Sequence, residues 1–161
     1  MKRISFLIVF SLLFFSFAFA ITSCDKNETL VTANNTNDTT ENNNTNNKMK
    51  VTIGTKVFTA TLDNNATTIA FKAMLPLTLN MSELNGNEKF FYFSSTLPTN
   101  ASSVGTIETG DLMLYSNNCL VLFYEGLKTS YSYTRLGRID NTSGLISALG
   151  SGSVTVKFEL Q

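Results

Sequence analysis

From Met49 onward, apolar and polar positions alternate in short runs instead of recurring every third or fourth residue. Val51, Ile53, Val57 and Thr59 are read as one period-two set around Gly54-Thr55. The pattern predicts a hairpin of Met49–Ile53 with Lys56–Leu62. Asp63-Asn64-Asn65 supplies turn and cap residues for a helix over Ala66–Met74, ended by Pro76. In that helix Ile69, Ala70, Ala73 and Met74 are expected on the face that covers the core. Further strands are predicted at Leu77–Met81, Lys89–Phe93, near Ile107, at Asp111–Tyr115 and at Cys119–Tyr124. Ser116-Asn117-Asn118 joins the last two as an antiparallel pair. Ser132–Ile139 follows, then a helix over Thr142–Leu149 opened by Asp140-Asn141. Gly150-Ser151-Gly152 leads out of that helix to a final alternating strand, Val154–Leu160.

Strands dominate, and a domain of this size with so many of them must close or nearly close to avoid aggregation-prone edges. The expected fold class is therefore mainly β: a closed or nearly closed antiparallel barrel with two short helices covering its ends. Residues 49–161 suffice for one core and not for two. They carry eight Lys or Arg against eight Asp or Glu, so no net field draws in nucleic acid or another polyanion.

The N-terminus is of a different kind. Residues 1–23 have the layout of a secretory signal: Lys2 and Arg3, then an apolar run from Ile4 to Ala20. Length alone would let that run span a bilayer, for which about 17 residues is the lower limit. Ile21-Thr22-Ser23-Cys24 resembles a bacterial lipobox, with an apolar residue three before the cysteine and small residues between. Lipidation is accordingly expected at Cys24, with the lipid bilayer as partner and an extracytoplasmic, membrane-anchored location in the cell envelope. Ala18-Phe19-Ala20 leaves the alternative of secretion after cleavage at Ala20. Each acyl methylene contributes about 0.8 kcal/mol on burial, so several chains on one residue anchor stably. Asp25–Lys48 holds nine Asn and six Thr among 24 residues and offers almost nothing to a core. Residues 24–48 therefore read as a lipid-attachment cysteine followed by a disordered tether.

If Cys24 is acylated, Cys119 has no disulfide partner, and its neighbours Leu120 to Phe123 offer neither base nor helix N-terminus. It reads as a small buried hydrophobe. The chain has no His, so a catalytic zinc site or a Ser-His arrangement has no support, and no metal or cofactor is implied. Gly150-Ser151-Gly152 leaves a helix instead of opening one, unlike a phosphate loop. Glu83 and Glu88 flank an Asn-Gly turn and read as solvated charges.

Several motifs together resemble a known family. Thr67 to Met74 is similar to the first helix of the cyclophilin-like barrel, and Leu120–Phe123 with Leu136-Gly137-Arg138-Ile139 resembles its later hairpin and closing glycine. Leu84 to Glu88, Gly110-Asp111-Leu112 and Tyr133 to Arg138 are similar to the small bacterial cyclophilin-like domains of unassigned activity. The resemblance implies a barrel groove, but it does not carry an activity with it. Cyclophilins isomerise prolyl bonds with an arginine, helped by a glutamine and by an apolar groove containing phenylalanine, tryptophan and histidine. Here the arginine's strand, Lys89 to Phe93, offers only Lys89. The histidine's position falls on Tyr133, Trp is absent and the sole Gln is Gln161.

No catalytic residue is therefore assigned. Tyr131, Tyr133, Arg135 and Arg138 are the candidate groove residues, a cationic and aromatic set suited to a carboxylate, a phosphate or a peptide carbonyl. The competing reading pairs both arginines with Glu125, Glu108 or Asp140 on the barrel rim. Two functions follow: a tethered binding module for a peptide or small molecule, or a divergent prolyl isomerase or other enzyme using the groove.

Overall fold

The computed structural model describes residues 47–161. The secretory segment, Cys24 and the tether up to residue 46 lie outside the described residues. The first half of the described chain runs β1 (Lys48–Ile53), β2 (Lys56–Leu62), α1 (Ala66–Lys72), β3 (Leu77–Leu84) and β4 (Glu88–Tyr92). Two short strands follow, β5 (Ser102–Ser103) and β6 (Thr106–Ile107). Then come β7 (Asp111–Tyr115), β8 (Cys119–Phe123), β9 (Leu127–Lys128), β10 (Ser132–Ile139), α2 (Leu145–Leu149) and β11 (Val154–Leu160).

Eight strands pair in the order β2-β1-β11-β3-β4-β8-β7-β10, and β10 pairs back onto β2 to close an antiparallel barrel. β5 extends β10 at one edge, and β6 pairs with β9 in a separate two-stranded strap. β6 is the short strand expected near Ile107, whereas β5 and β9 are strands that periodicity does not reveal, because two residues carry no period.

The β1–β2 hairpin forms around Gly54-Thr55, yet its inward face differs from the sequence expectation. A two-residue loop pairs Ile53 with Lys56 and Val51 with Phe58. Phe58, Ala60 and Leu62 therefore face the core with Met49, Val51 and Ile53, and Val57 is exposed. Register across the turn, not continuous alternation through it, decides the face.

Helix α1 is shorter than expected and rotated. Asn65 caps it, its side chain accepting a hydrogen bond from Thr68 N at 2.9 Å. The inward residues are Thr67, Thr68 and Phe71, whereas Ile69 is 63% exposed. Thr67 Oγ1 donates to Pro98 O at 2.7 Å and Thr68 Oγ1 to Leu136 O at 3.3 Å, so both hydroxyls can be buried. Phe71 then plugs one barrel end, with its ring centroid 6.2 Å from that of Phe158, edge to face. Full burial of a Phe contributes roughly 1.5–3 kcal/mol, more than an aliphatic at position 69 could add from a shallower site. Ala70 and Met74 do pack against the core, as the sequence suggested.

Helix α2 begins at Leu145, three residues later than expected, because Asn141 Oδ1 accepts from Ser143 N and closes a turn first. Leu145 and Leu149, one turn apart, cover the barrel interior. Asp140 serves elsewhere, bonded to Lys48 and Thr61.

All five residues of β8 are buried. Leu120 and Leu122 face the barrel core, while Cys119, Val121 and Phe123 face outward into a second apolar cluster. The β6–β9 strap roofs that second cluster through Ile107 and Leu127. A strand covered on both faces reads as a continuous apolar run, which is what Cys119 to Phe123 is. The roof covers only part of the outer face, and the groove lies beside it.

Candidate functional site

Outside the barrel, β4, β8, β7 and β10 present one face, and their register sets what lies on it. Tyr92 pairs with Cys119, Cys119 with Tyr115, and Tyr115 with Tyr133, forming one row across four strands. The next outward row begins Phe90–Val121, and Glu88 stands opposite Phe123 beyond it. Side chains in such rows stand about 4.5–5.5 Å apart at Cβ and touch. Tyr115 and Tyr133 have ring centroids 5.4 Å apart, and Tyr115 and Tyr131 are 6.0 Å apart, edge to face.

These residues form the wall of an open groove of about 730 Å³. Phe90, Tyr92, Tyr115, Tyr131 and Tyr133 supply its aromatic surface, and the strap segment Leu127–Ser130 borders it. Tyr133 is the buried floor, while Tyr131 projects at 63% exposure. Four of the five tyrosines in the chain line this one groove.

Four groups of the groove, Tyr133, Tyr92, Cys119 and Glu88, are shifted toward their neutral forms. Burial, then the charge of Glu88, pushes Tyr133 up to about 12. Tyr92 is raised mainly by Cys119 beside it. Cys119 is raised by burial, against the opposing effect of its hydrogen bond with Tyr92. Glu88 is raised by burial and by the charge of Glu83. A thiol held protonated is a poor nucleophile, and Cys119 packs among Val121, Phe123 and Tyr133 as the sequence suggested. Tyrosines held protonated remain hydrogen-bond donors.

The sequence candidates divide between two places. Tyr131 and Tyr133 line the groove, whereas Arg135 and Arg138 do not belong to its wall. A bulge between Arg135 and Gly137 places both arginines on the outer face, beside the fully buried Asp111. Arg135 reaches Asp111 at 3.3 Å and Asp63 at 3.7 Å; Arg138 reaches Asp111 at 3.8 Å and Glu108 at 4.0 Å. Asp111 also accepts from Glu108 N at 2.9 Å, which ties the loop before β7 to its first residue. Of the acids named as partners in advance, Glu108 is engaged; Asp63 and Asp111 are additions.

The sequence reading missed Phe90, Tyr92 and Tyr115 on the wall, and two polar site residues besides, Glu88 and Asn87. Glu88 is not a solvated turn charge but half-buried in the groove, because β4 starts at Glu88 and alternation sends it outward with Phe90 and Tyr92. Asn87 adjoins it on the wall. Counting alternation back from Phe90 and Tyr92 would have placed Glu88, but only the sheet shows that this face is covered. Lys89 points the other way, entirely buried and bonded to Glu83, so it brings no charge to the groove.

An eight-stranded closed antiparallel barrel, with one helix plugging an end and an aromatic groove outside strands β4, β8, β7 and β10, defines the class of protein. Residues 51–159 match the Cyclophilin-like family, and the chain belongs to it. No curated protein and no solved structure shows significant similarity to the chain.

Proposed function

We propose that this domain is a ligand-binding module that takes a peptide or small molecule in the tyrosine groove, without prolyl isomerase activity of the usual kind. The tyrosine row Tyr92–Tyr115–Tyr133, extended by Tyr131, carries the reading. Tyrosine supplies rigid contact area with a polar tip at low conformational cost, the chemistry of adaptable recognition surfaces. The groove wall holds no arginine, and its basic residue, Lys128, is on the strap. A cationic donor aimed at a substrate amide from β4, as the family's reaction would need, is not among the lining residues. In the same proposal the module sits extracytoplasmically on a bacterial membrane, held by acyl chains on Cys24. The segment from Asp25 to the barrel provides reach.

Two measurements test this. A prolyl-peptide isomerisation assay on the purified protein is expected to give the uncatalysed rate; turnover that Tyr131→Ala abolishes would replace binding with catalysis. Metabolic labelling with palmitate is expected to mark the native protein and not Cys24→Ser, and label retained by the variant would remove the anchor from the proposal.

A further inference from the structure

One end of the groove is chemically one-sided. Glu88 lines it half-buried, and among the described residues no cation or hydrogen-bond donor engages its carboxylate. Its neighbour Glu83 cannot share a proton with it freely, since Lys89, Tyr124 and Gly86 N already hold that carboxylate. Asn87, next along the wall, has a buried Oδ1 that accepts no hydrogen bond from the protein. It is the one such atom among the described residues. A half-buried carboxylate without a donor therefore meets the aromatic surface of Phe90 and the tyrosines.

Resting on the binding reading above, we infer that the groove selects an organic ammonium group, of the kind a lysine side chain carries in a peptide. Such a group is donor-only: three N–H bonds and no acceptor. It would satisfy the Glu88 carboxylate, while its methylene stem lies along the aromatic wall. Tyrosine ring faces attract a cation within about 6 Å of the centroid, which adds to the pull of the carboxylate. An anionic ligand would face the opposite: a carboxylate with no counter-charge at this end. The charge of Glu88 reaches across the wall: it adds to burial in raising Tyr133, and it is the smallest of the causes that raise Tyr92, after Cys119, and Cys119, after burial. Lys128, the basic residue on the strap, is exposed, and its flexible stem keeps the ammonium in water at the rim. It does not neutralise Glu88, with which it forms no ion pair.

The chain provides its own reporter, since it has no Trp and four of its five tyrosines line the groove. Tyrosine emission of the full chain in an alkyl-maltoside detergent would be titrated with three tripeptides: acetyl-Ala-Lys-Ala-amide, its norleucine analogue and its glutamate analogue. Norleucine has the lysine stem without the charge. The expected result is saturable binding of the lysine peptide about tenfold tighter than the norleucine peptide, with the glutamate peptide weakest. Glu88→Gln should bring lysine to the norleucine level, and Tyr131→Ala should weaken both. Both positions are at least partly exposed and neither side chain anchors the barrel core, so the variants are expected to fold; thermal melts check this. Equal affinity for lysine and norleucine peptides, or an unchanged lysine preference in Glu88→Gln, would overturn the ammonium inference and leave the binding module standing. No effect of any peptide on tyrosine emission would overturn both.

Discussion

Replacing Lys89 with methionine is expected to destabilise the protein by about 3 kcal/mol, measured by urea denaturation, although methionine is more apolar and similar in length. Lys89 is entirely buried at one end of the barrel interior. Its ammonium donates to Glu83 at 2.5 Å, to Gly150 O at 2.8 Å and to Gly152 O at 2.7 Å, and sits 5.3 Å from the centre of the Tyr124 ring. All three N–H groups are used, and they tie β4 to β3 and to the exit of α2. Removing one partner of a buried charge pair typically costs 3–5 kcal/mol, because the group left behind is desolvated without compensation. Glu83 retains some contact with water, and the Gly150–Gly152 turn is exposed, so the lower end of that range applies. A loss under about 0.5 kcal/mol would show that the network contributes no net stability.

The same network sets a pH dependence. Burial by itself would raise Glu83, but hydrogen bonds from Lys89, Tyr124 and Gly86 N together hold it below its ordinary 4.5. A carboxylate depressed in the folded state contributes stability that is fully present above its unfolded value and is lost as pH falls through the folded one. Stability of the native protein is therefore expected to decline as pH falls below about 4.5, and Lys89→Met should flatten that decline. Asp140, lowered by Lys48 and Thr61 against the opposing effect of burial, contributes in the same direction and is left intact by the substitution.

Gly137→Ala is expected to cost about 3 kcal/mol or more, with loss of the cooperative transition as the extreme outcome. At Gly137 the chain of β10 passes so close to β2 that an added Cβ would collide with the backbone oxygen of Thr61 and lie 2.8 Å from Leu62 Cα. Both obstacles are backbone, so relief requires moving strands apart. The strands concerned are the pair that closes the barrel, where Gly137 faces Leu62. Gly152→Ala is the control: a Cβ there meets nothing within 4 Å, and the carbonyl that binds Lys89 is unchanged. It should stay within about 0.5 kcal/mol of the native protein by the same urea measurement. Comparable stability of the two variants would remove the close approach as a determinant of closure.

Much of the architecture was legible in one dimension. Asp111–Tyr115, Ser132–Ile139 and Val154–Leu160 occur as read, because each alternates or runs apolar over five to eight residues and is bounded by turn-forming residues. The resemblance carried by the helix around Phe71 and the Leu136-Gly137 closure pointed to the same barrel, and the family match covers residues 51–159. The misreadings have a common origin. Val57 for Phe58 and Ile69 for Phe71 are choices of face, and a face is inward only relative to a partner strand or helix. Within the candidate site, Tyr133 could be picked from its own strand and Tyr131 as the residue that precedes that strand. Arg135 and Arg138 were grouped with them by proximity in sequence, and the bulge before Gly137 with the buried Asp111 draws them into ion pairs beside the loop before β7.

The sequence by itself determined the long strands, their tendency to close, the family, and the lack of the side chains that family chemistry uses. It also determined that one aromatic strand would matter. Only the tertiary structure decided that Tyr92, Tyr115 and Tyr133, up to 41 positions apart, stand in one row. It likewise decided that Glu88 belongs to their groove while its neighbour Lys89 is sealed inside the barrel. The physical reason is that alternation fixes only which residues of one strand share a face. Which strands lie side by side, and in what register, is set by closure of the whole barrel around its core.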